Sequence, residues 1–503
     1  MNNTYFNFAD WTVILVYLGG IIALGMWFGK DQRNVRDYFL GSKNTPWWGI
    51  GLSIVAAETS ALTIIGVPAI AYGGNIAFIQ MIIGYVIARL ILAVVMVPHY
   101  LKGEIYSPYQ LFAERLGARA RQTAGGFFLI SETLAAGVRV YVVSIPVQLM
   151  LGIGVVPSII LFVVLSLVYT YVGGVKAVIW TDAVQFGLFL LGGLYALWYI
   201  PTLVDGGFAG LMKTAAAADK LHWLNSKFAL DAPFNIWMGV IGGTVLVMSS
   251  HGAEQLIVQR VLACKNVADG RKALVLSSVL IFPLFAIFLL VGVMLWVFYQ
   301  SHPFQIPLPE ARPGIKANDF IFPIFMMTEV PHVLRGFLIV AILSAAMSSV
   351  SSALTSLASV STMDFVKGQH GKRSEEFYLA FSKYSTVVWA VILILVAYLS
   401  REVAFVMNAA FTLRGLTSGA LLGGLMLAVF WKEGRAISVI SGMVASLVCM
   451  IAVSQFSWET IVDGKPVAHK VFWPWFTLIG TAVTLSVAWA VNLVTAPRAR
   501  RSV

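Results

Sequence analysis

The stretch SIVAAETSALTIIGVPAIAYGGN, residues 53–75, is long and apolar enough to cross a bilayer, yet Glu58, Thr59, Ser60 and Thr63 interrupt it ahead of Gly66 and Pro68. A second stretch, GVIGGTVLVMSSHGAEQLIVQR at 239–260, repeats the anomaly, with Ser249, Ser250, His251, Gly252, Glu254 and Gln255 at its middle. A spanning helix needs about 20 mostly apolar residues. Non-helical backbone at that depth is tolerated only where it is buried in protein or lines a cavity. The two interrupted segments lie five spans apart. Broken helices at matching positions of two halves point to a secondary transporter built from inverted repeats. No residue-level repeat accompanies the pattern, so the symmetry is one of pattern only.

The rest of the chain agrees. Of its 503 residues, 59% are apolar and 11% charged, against about 25% charged in soluble domains. Length alone would suggest roughly three globular domains, but so few charges could not cover their surfaces. Disorder is excluded by the same numbers. The 44 glycines suit close packing of membrane helices. Scanning yields thirteen spans, near 8–28, 48–73, 76–100, 122–151, 155–172, 179–202, 234–259, 273–300, 333–363, 378–399, 403–431, 436–456 and 471–496. The piece 320–327 is too short to span and is expected to lie as a helix over the extracellular face.

The net charge of +11 would suggest nucleic acid on a soluble protein; here it marks cytoplasmic loops. With the N-terminus outside and thirteen spans, 22 Lys and Arg, Arg260 among them, fall in inside segments and 9 in outside ones. That asymmetry predicts N-out and C-in. The two cysteines give neither a disulfide framework nor a metal cluster. The opening MNNTYFNFADW lacks the basic patch of a signal peptide. Gly173-Gly174 is not followed by Gly-Lys-Ser/Thr, so no Walker A site and no ATP-driven pump is expected. No Ser/His/Asp or paired-carboxylate arrangement suggests an enzyme.

Inside the membrane the clearest signal is Ala345-Ala-Met-Ser-Ser-Val-Ser-Ser352, which sets Ala345, Ser348, Ser349 and Ser352 on one helical face with Ser351 beside it. Such hydroxyls can ligate a hard cation. They can equally bond the i−4 carbonyl or permit close packing, and spacing alone leaves both readings open. Asp182 can neutralise a bound cation, or face water or cap a helix end. Glu58, Arg89, Glu132, Arg139 and Arg414 are charges inside spans, where function is the default reading. They also suit ion pairs within the bundle. Three guanidiniums against two carboxylates leave one positive charge for an anionic solute group, which an arginine fork would bind bidentately. Ser60, Thr63, His251 and Gln255 complete the solute-site candidates, His251 as a hydrogen-bonding pocket residue rather than a metal ligand.

These residues resemble the sodium/solute symporters. The resemblance rests on 53–74, on YTYVGGVKAVIWTDAVQ (169–185), QLIVQR (255–260), SAAMSSVSSALTSLASVSTMD (344–364) and LAVFWK (427–432), and runs over about 8–435. It implies the leucine-transporter-like fold, an all-α membrane domain with 48–202 and 234–431 as five-helix inverted repeats and 8–28 and 436–496 peripheral. It implies a multi-pass protein of the plasma membrane, the inner membrane in a bacterium, with the lipid bilayer, a small organic solute and one or two Na⁺ as partners. The sodium site common to the family would use the carbonyls of Ala56, Thr59 and Ala345 and the hydroxyls of Ser348 and Ser349. The second site of some members would use Asp182, Ser348, Ser351 and Ser352. Sugar carriers of the family have Asn where Glu58 stands and Gln where Thr63 stands. Sialic acid carriers share the threonine, but their arginine aligns with Ala135, one turn before Arg139. The expected function is therefore sodium-coupled import of a small organic solute, an anion such as a sugar acid or monocarboxylate first. A neutral sugar or polyol, a proton-coupled carrier using Glu58 and Glu132, and a channel or sensor on the same fold are the alternatives.

Overall fold

The computed structural model describes residues 5–29, 33–59, 61–231, 234–312, 315–316, 318–368, 373–402, 406–462 and 465–495, almost wholly as helix. Helix α1 is Phe8–Phe28, opened by a reciprocal cap between Asn7 and Asp10. The first broken segment supplies α2 (Trp47–Glu58) and α3 (Ala61–Gly73). There follow α4 (Ile79–Val95), α5 (Ala118–Leu151) and α6 (Val155–Tyr199). The second broken segment gives α7 (Thr244–Gly252) and α8 (Gln255–Leu262), after a π-helical turn Met238–Gly243. Then come α9 (Val267–Ser301), α10 (Leu334–Val360), α11 (Glu375–Leu399), α12 (Val406–Phe430), α13 (Ala436–Gln455) and α14 (Phe476–Thr495).

Among the described residues, ten helices are long and apolar enough to cross a membrane, or eleven when the pair bent by 53° at the first break is taken as one. Two features separate that count from the thirteen expected spans. Helix α6 has 45 residues, roughly 68 Å at 1.5 Å per residue, about twice the hydrocarbon thickness. It is interrupted at Gly174, with φ 55° and ψ −157°. The 238–262 segment arrives as short pieces, each below spanning length. The expectation of an all-α chain needs one amendment, two antiparallel hairpins: Glu310–Arg312 with Ile315–Lys316, and Ser457–Val462 with Lys465–Lys470. The short helix foreseen near 320–327 is Ile321–Thr328, its first seven residues buried.

Burial orders the bundle. The most apolar window of the α10 segment is 94% buried, against 17% in α1, 33% in α13 and 28% in the α14 segment. The serine-bearing helix is therefore the central post, and the terminal helices turn large side chains such as Leu15, Val448 and Trp489 outward. Helix α4 meets the π-helical turn without side chains between them. A Cβ on Gly84 would fall 2.2 Å from the Gly239 carbonyl oxygen, and one on Gly239 2.3 Å from that of Gln80. Small residues permit this approach, as membrane packing requires.

Gly174 sits in a backbone region that is essentially glycine-only, and a Cβ there would lie 2.5 Å from the Tyr38 carbonyl oxygen. Gly152 is also left-handed (φ 63°) but has open space around it. Gly152→Ala should cost about 1–2 kcal/mol. Gly174→Ala should cost clearly more, seen as a larger drop in apparent Tm by fluorescence-detected size exclusion; equal drops would contradict the packing at Tyr38.

Candidate functional site

The two breaks treat their backbone groups differently. At the first, α2 ends on Thr59 at φ −80°, ψ 82°, whose amide still bonds the Val55 carbonyl at 2.8 Å. The Thr59 hydroxyl is buried and makes no hydrogen bond. At the second, Glu254 turns extended (φ −102°, ψ 131°) between α7 and α8. The Tyr100 hydroxyl donates to the Gly252 carbonyl, and the Gln255 amide donates to the Tyr109 hydroxyl at 3.3 Å.

The two breaks face one cavity, with about 860 Å³ of atom-free space counting its mouth. Ala57, Glu58 and Thr63 line it from the first break; Ser250, His251, Leu256 and Ile257 line it from the second. Ala135 and Arg139 of α5 and Arg414 of α12 add to the wall, with Val67, Phe78, Tyr85 and Phe285 among its apolar members. Arg89, Glu132 and Gln255 stand behind the lining. Arg89 is wholly buried and pairs with Glu58, also donating to the Tyr85 carbonyl at 2.9 Å. Glu132 accepts from Arg139 at 3.1 and 3.3 Å. Gln255 donates to the Tyr106 carbonyl at 2.7 Å and the Ser359 hydroxyl at 3.0 Å. His251 bonds Ser250 at 2.9 Å and stands 3.5 Å from Glu58. Ser60 lies outside the described residues.

Arg414 forms a fork with Glu254, one arm at 3.0 Å. Glu254, at the second break, adds a third carboxylate to the two weighed against the three arginines from sequence. Including it cancels the expected surplus: each of the three arginines has its own carboxylate, so an anionic solute must compete for a guanidinium rather than meet a free one.

A second cluster lies deeper. Asp182 is fully buried, neither water-facing nor a cap as one reading of its sequence position had it. It accepts from Ser53 of α2 and Ser348 of α10, both at 2.5 Å. Arg260 of α8, counted from sequence among inside-loop cations, is also fully buried and donates to Asp182 at 2.8 Å. On the serine face the backbone-bonding reading holds for three of the hydroxyls. Ser349 and Ser352 bond the carbonyls of Ala345 (3.0 Å) and Ser348 (2.6 Å), four residues back, and Ser351 bonds that of Ser348 (3.0 Å). Ser348 instead turns its hydroxyl to the carboxylate. The oxygens of Ala56, Thr59, Ala345, Ser348 and Ser349 all belong to buried residues, a hard donor set that suits sodium.

Broken helices closing on a charged cavity, beside a buried carboxylate and hydroxyls, define a secondary transporter. The sequence model of the sodium:solute symporter family matches residues 38–446. The sodium/sialic acid symporter SiaT of Proteus mirabilis is 31% identical over 461 residues, covering 89% of this chain and 90% of that one. The sodium/glucose cotransporter of Vibrio parahaemolyticus is 27% identical, covering 88% and 84%. A solved structure of a Na⁺-coupled sialic acid symporter, substrate-bound and outward-open, superposes with a TM-score of 0.84 at 27% identity, over 98% of this chain and 99% of that one. The chain belongs to the sodium:solute symporter family. It is a sodium-coupled symporter of the plasma membrane and not an enzyme.

Breaking a buried pair from one side costs about 3–5 kcal/mol, because the remaining charge is left uncompensated. Arg414→Gln and Glu254→Gln should each lower the apparent Tm in detergent, while the double variant should recover most of the loss. Simply additive losses would show that the pair does not carry the effect.

Proposed function

We propose that this symporter imports an organic anion, a carboxylate such as a sugar acid or monocarboxylate, with one or two sodium ions by alternating access. The observation that carries the solute reading is the position of Arg139. The arginine of the family's sialic acid carriers aligns with Ala135, and Ala135 and Arg139 line the same cavity. Helical side chains lean toward the N-terminus of their helix, so a guanidinium carried at 139 reaches back over the turn that starts at 135. A carboxylate arriving there would share the fork with Glu132. The sodium/sialic acid relative supports an anionic sugar acid, and the apolar wall suits the body of a monocarboxylate.

The first sodium set is Ala56, Thr59, Ala345, Ser348 and Ser349; the second is Asp182, Ser348, Ser351 and Ser352. The departure of Thr59 from helical geometry supports the first, since it frees carbonyls of the preceding turn. Glu58, Ser60, Thr63, Arg89, Glu132, His251, Gln255 and Arg414 shape or support the solute site. Thirteen spans, an outside N-terminus and an inside C-terminus complete the reading, with 48–202 and 234–431 as inverted repeats. The low burial of α1, α13 and α14 supports their peripheral role. Sodium couples to solute only if it binds one conformation better than the other, and a site shared by α2 and α10 meets that condition when the two move apart.

A thermal-shift screen of sugar acids, monocarboxylates, neutral sugars and polyols, in NaCl and in KCl, should give stabilisation by carboxylates in sodium alone. Stabilisation by neutral sugars only, or equal shifts in potassium, would refute the reading. Sodium titrations of the same shift should move by about tenfold in Ser349→Ala, and Asp182→Asn should lower the Hill slope; unchanged curves would remove the first and second sites respectively.

A further inference from the structure

Arg260 completes the Asp182 cluster in a way the sodium sets do not use. Its Nε donates to Ser53 at 2.8 Å and its Nη1 to the Leu256 carbonyl at 2.5 Å. Its Nη2 donates to Asp182 Oδ2 at 2.8 Å and also to the Ser352 hydroxyl. Every guanidinium nitrogen is therefore engaged, and the side chain is fully buried. Asp182, Ser348 and Ser352, three members of the second sodium set, are at the same time taken up by this network. A cation bridging Asp182 Oδ2 and Ser352 Oγ would compete with Nη2 for the same two oxygens, and two positive charges so close repel strongly in a medium of low dielectric.

We infer that Arg260 is the built-in cation that occupies Asp182 in the empty carrier and is displaced by sodium; the inference rests on the second sodium set proposed above. A carrier must return without its cargo ions. A carboxylate buried and unpaired during that return carries a desolvation penalty that a fixed guanidinium removes. Arg260 stands on α8, the half-helix after the second break, while its partners stand on α2, α6 and α10. Replacing the guanidinium by sodium therefore breaks the bonds from Arg260 to Ser53, Asp182 and Ser352 on three helices at once. It transmits ion occupancy at the Asp182 cluster to the segment that forms the second break, which also contributes Leu256 and Ile257 to the cavity wall.

The test is equilibrium ²²Na⁺ binding to the purified full-length protein in detergent, without solute. Arg260→Gln removes the competitor and should tighten the Asp182-dependent component by about tenfold or more, whereas Arg260→Lys, which keeps the charge, should stay within about threefold of wild type. Equal or weaker sodium binding in a folded Arg260→Gln protein would overturn the inference. If Arg260→Gln does not fold, Ser53→Ala, which removes one anchor of the guanidinium and one hydrogen bond to Asp182, should tighten sodium by about threefold; no tightening there overturns it equally. Asp182→Asn separates the two ideas. Should it leave wild-type sodium binding unaltered, the second site itself falls, whatever Arg260 does.

Discussion

Hydrocarbon offers no water to an exposed peptide group, and the whole architecture follows from how this chain meets that constraint where its helices stop. The hydroxyls of Tyr100 and Tyr109 serve the backbone of Gly252 and Gln255. At the first break the Thr59 amide keeps its helical bond while its hydroxyl stays unpartnered. Both interruptions are thus stable enough to persist and incomplete enough to bind something. Most of the cavity, the charged pairs and the serine face is arranged around these two points.

The central position of α10 is the second organising feature. Because it is buried almost throughout, its serines face other helices rather than lipid, and their hydroxyls must bond something within the protein. Ser344, Ser349, Ser351, Ser352 and Ser356 take carbonyls of their own helix; Ser348 reaches the carboxylate of Asp182 on α6. That choice ties the helix most enclosed by the bundle to the segment after Gly174. The glycine-only backbone at Gly174 interrupts α6 eight residues before Asp182.

Spans, breaks and the serine stripe were legible because they depend on local periodicity and composition. Partners distant in sequence were not. Glu254 was plain in the sequence, but its claim on Arg414 spans 160 residues and no spacing rule discloses it. Arg260 reads as a loop cation because it stands at the end of an apolar run, where basic residues usually mark cytoplasmic loops; only the fold brings Asp182 and Ser53 to it. Lys220 and Arg335 fall among the nine outside cations of the sequence reading, yet both are largely buried and donate to backbone carbonyls. The hairpin Ser457–Val462 with Lys465–Lys470 was hidden by the habit of reading the segment between two spans as structureless.

Among the described residues, five arginines and five carboxylates face one another within the protein: Arg89 with Glu58, Arg139 with Glu132, Arg414 with Glu254, Arg260 with Asp182, and Arg121 with Asp364. The protein's own interior thus contributes no net charge among these pairs. An electric field across the bilayer acts at about 2.3 kcal/mol per elementary charge per 100 mV, and on a balanced interior it has little to pull. Voltage would then act on these pairs only through whatever net charge the cargo brings beside them.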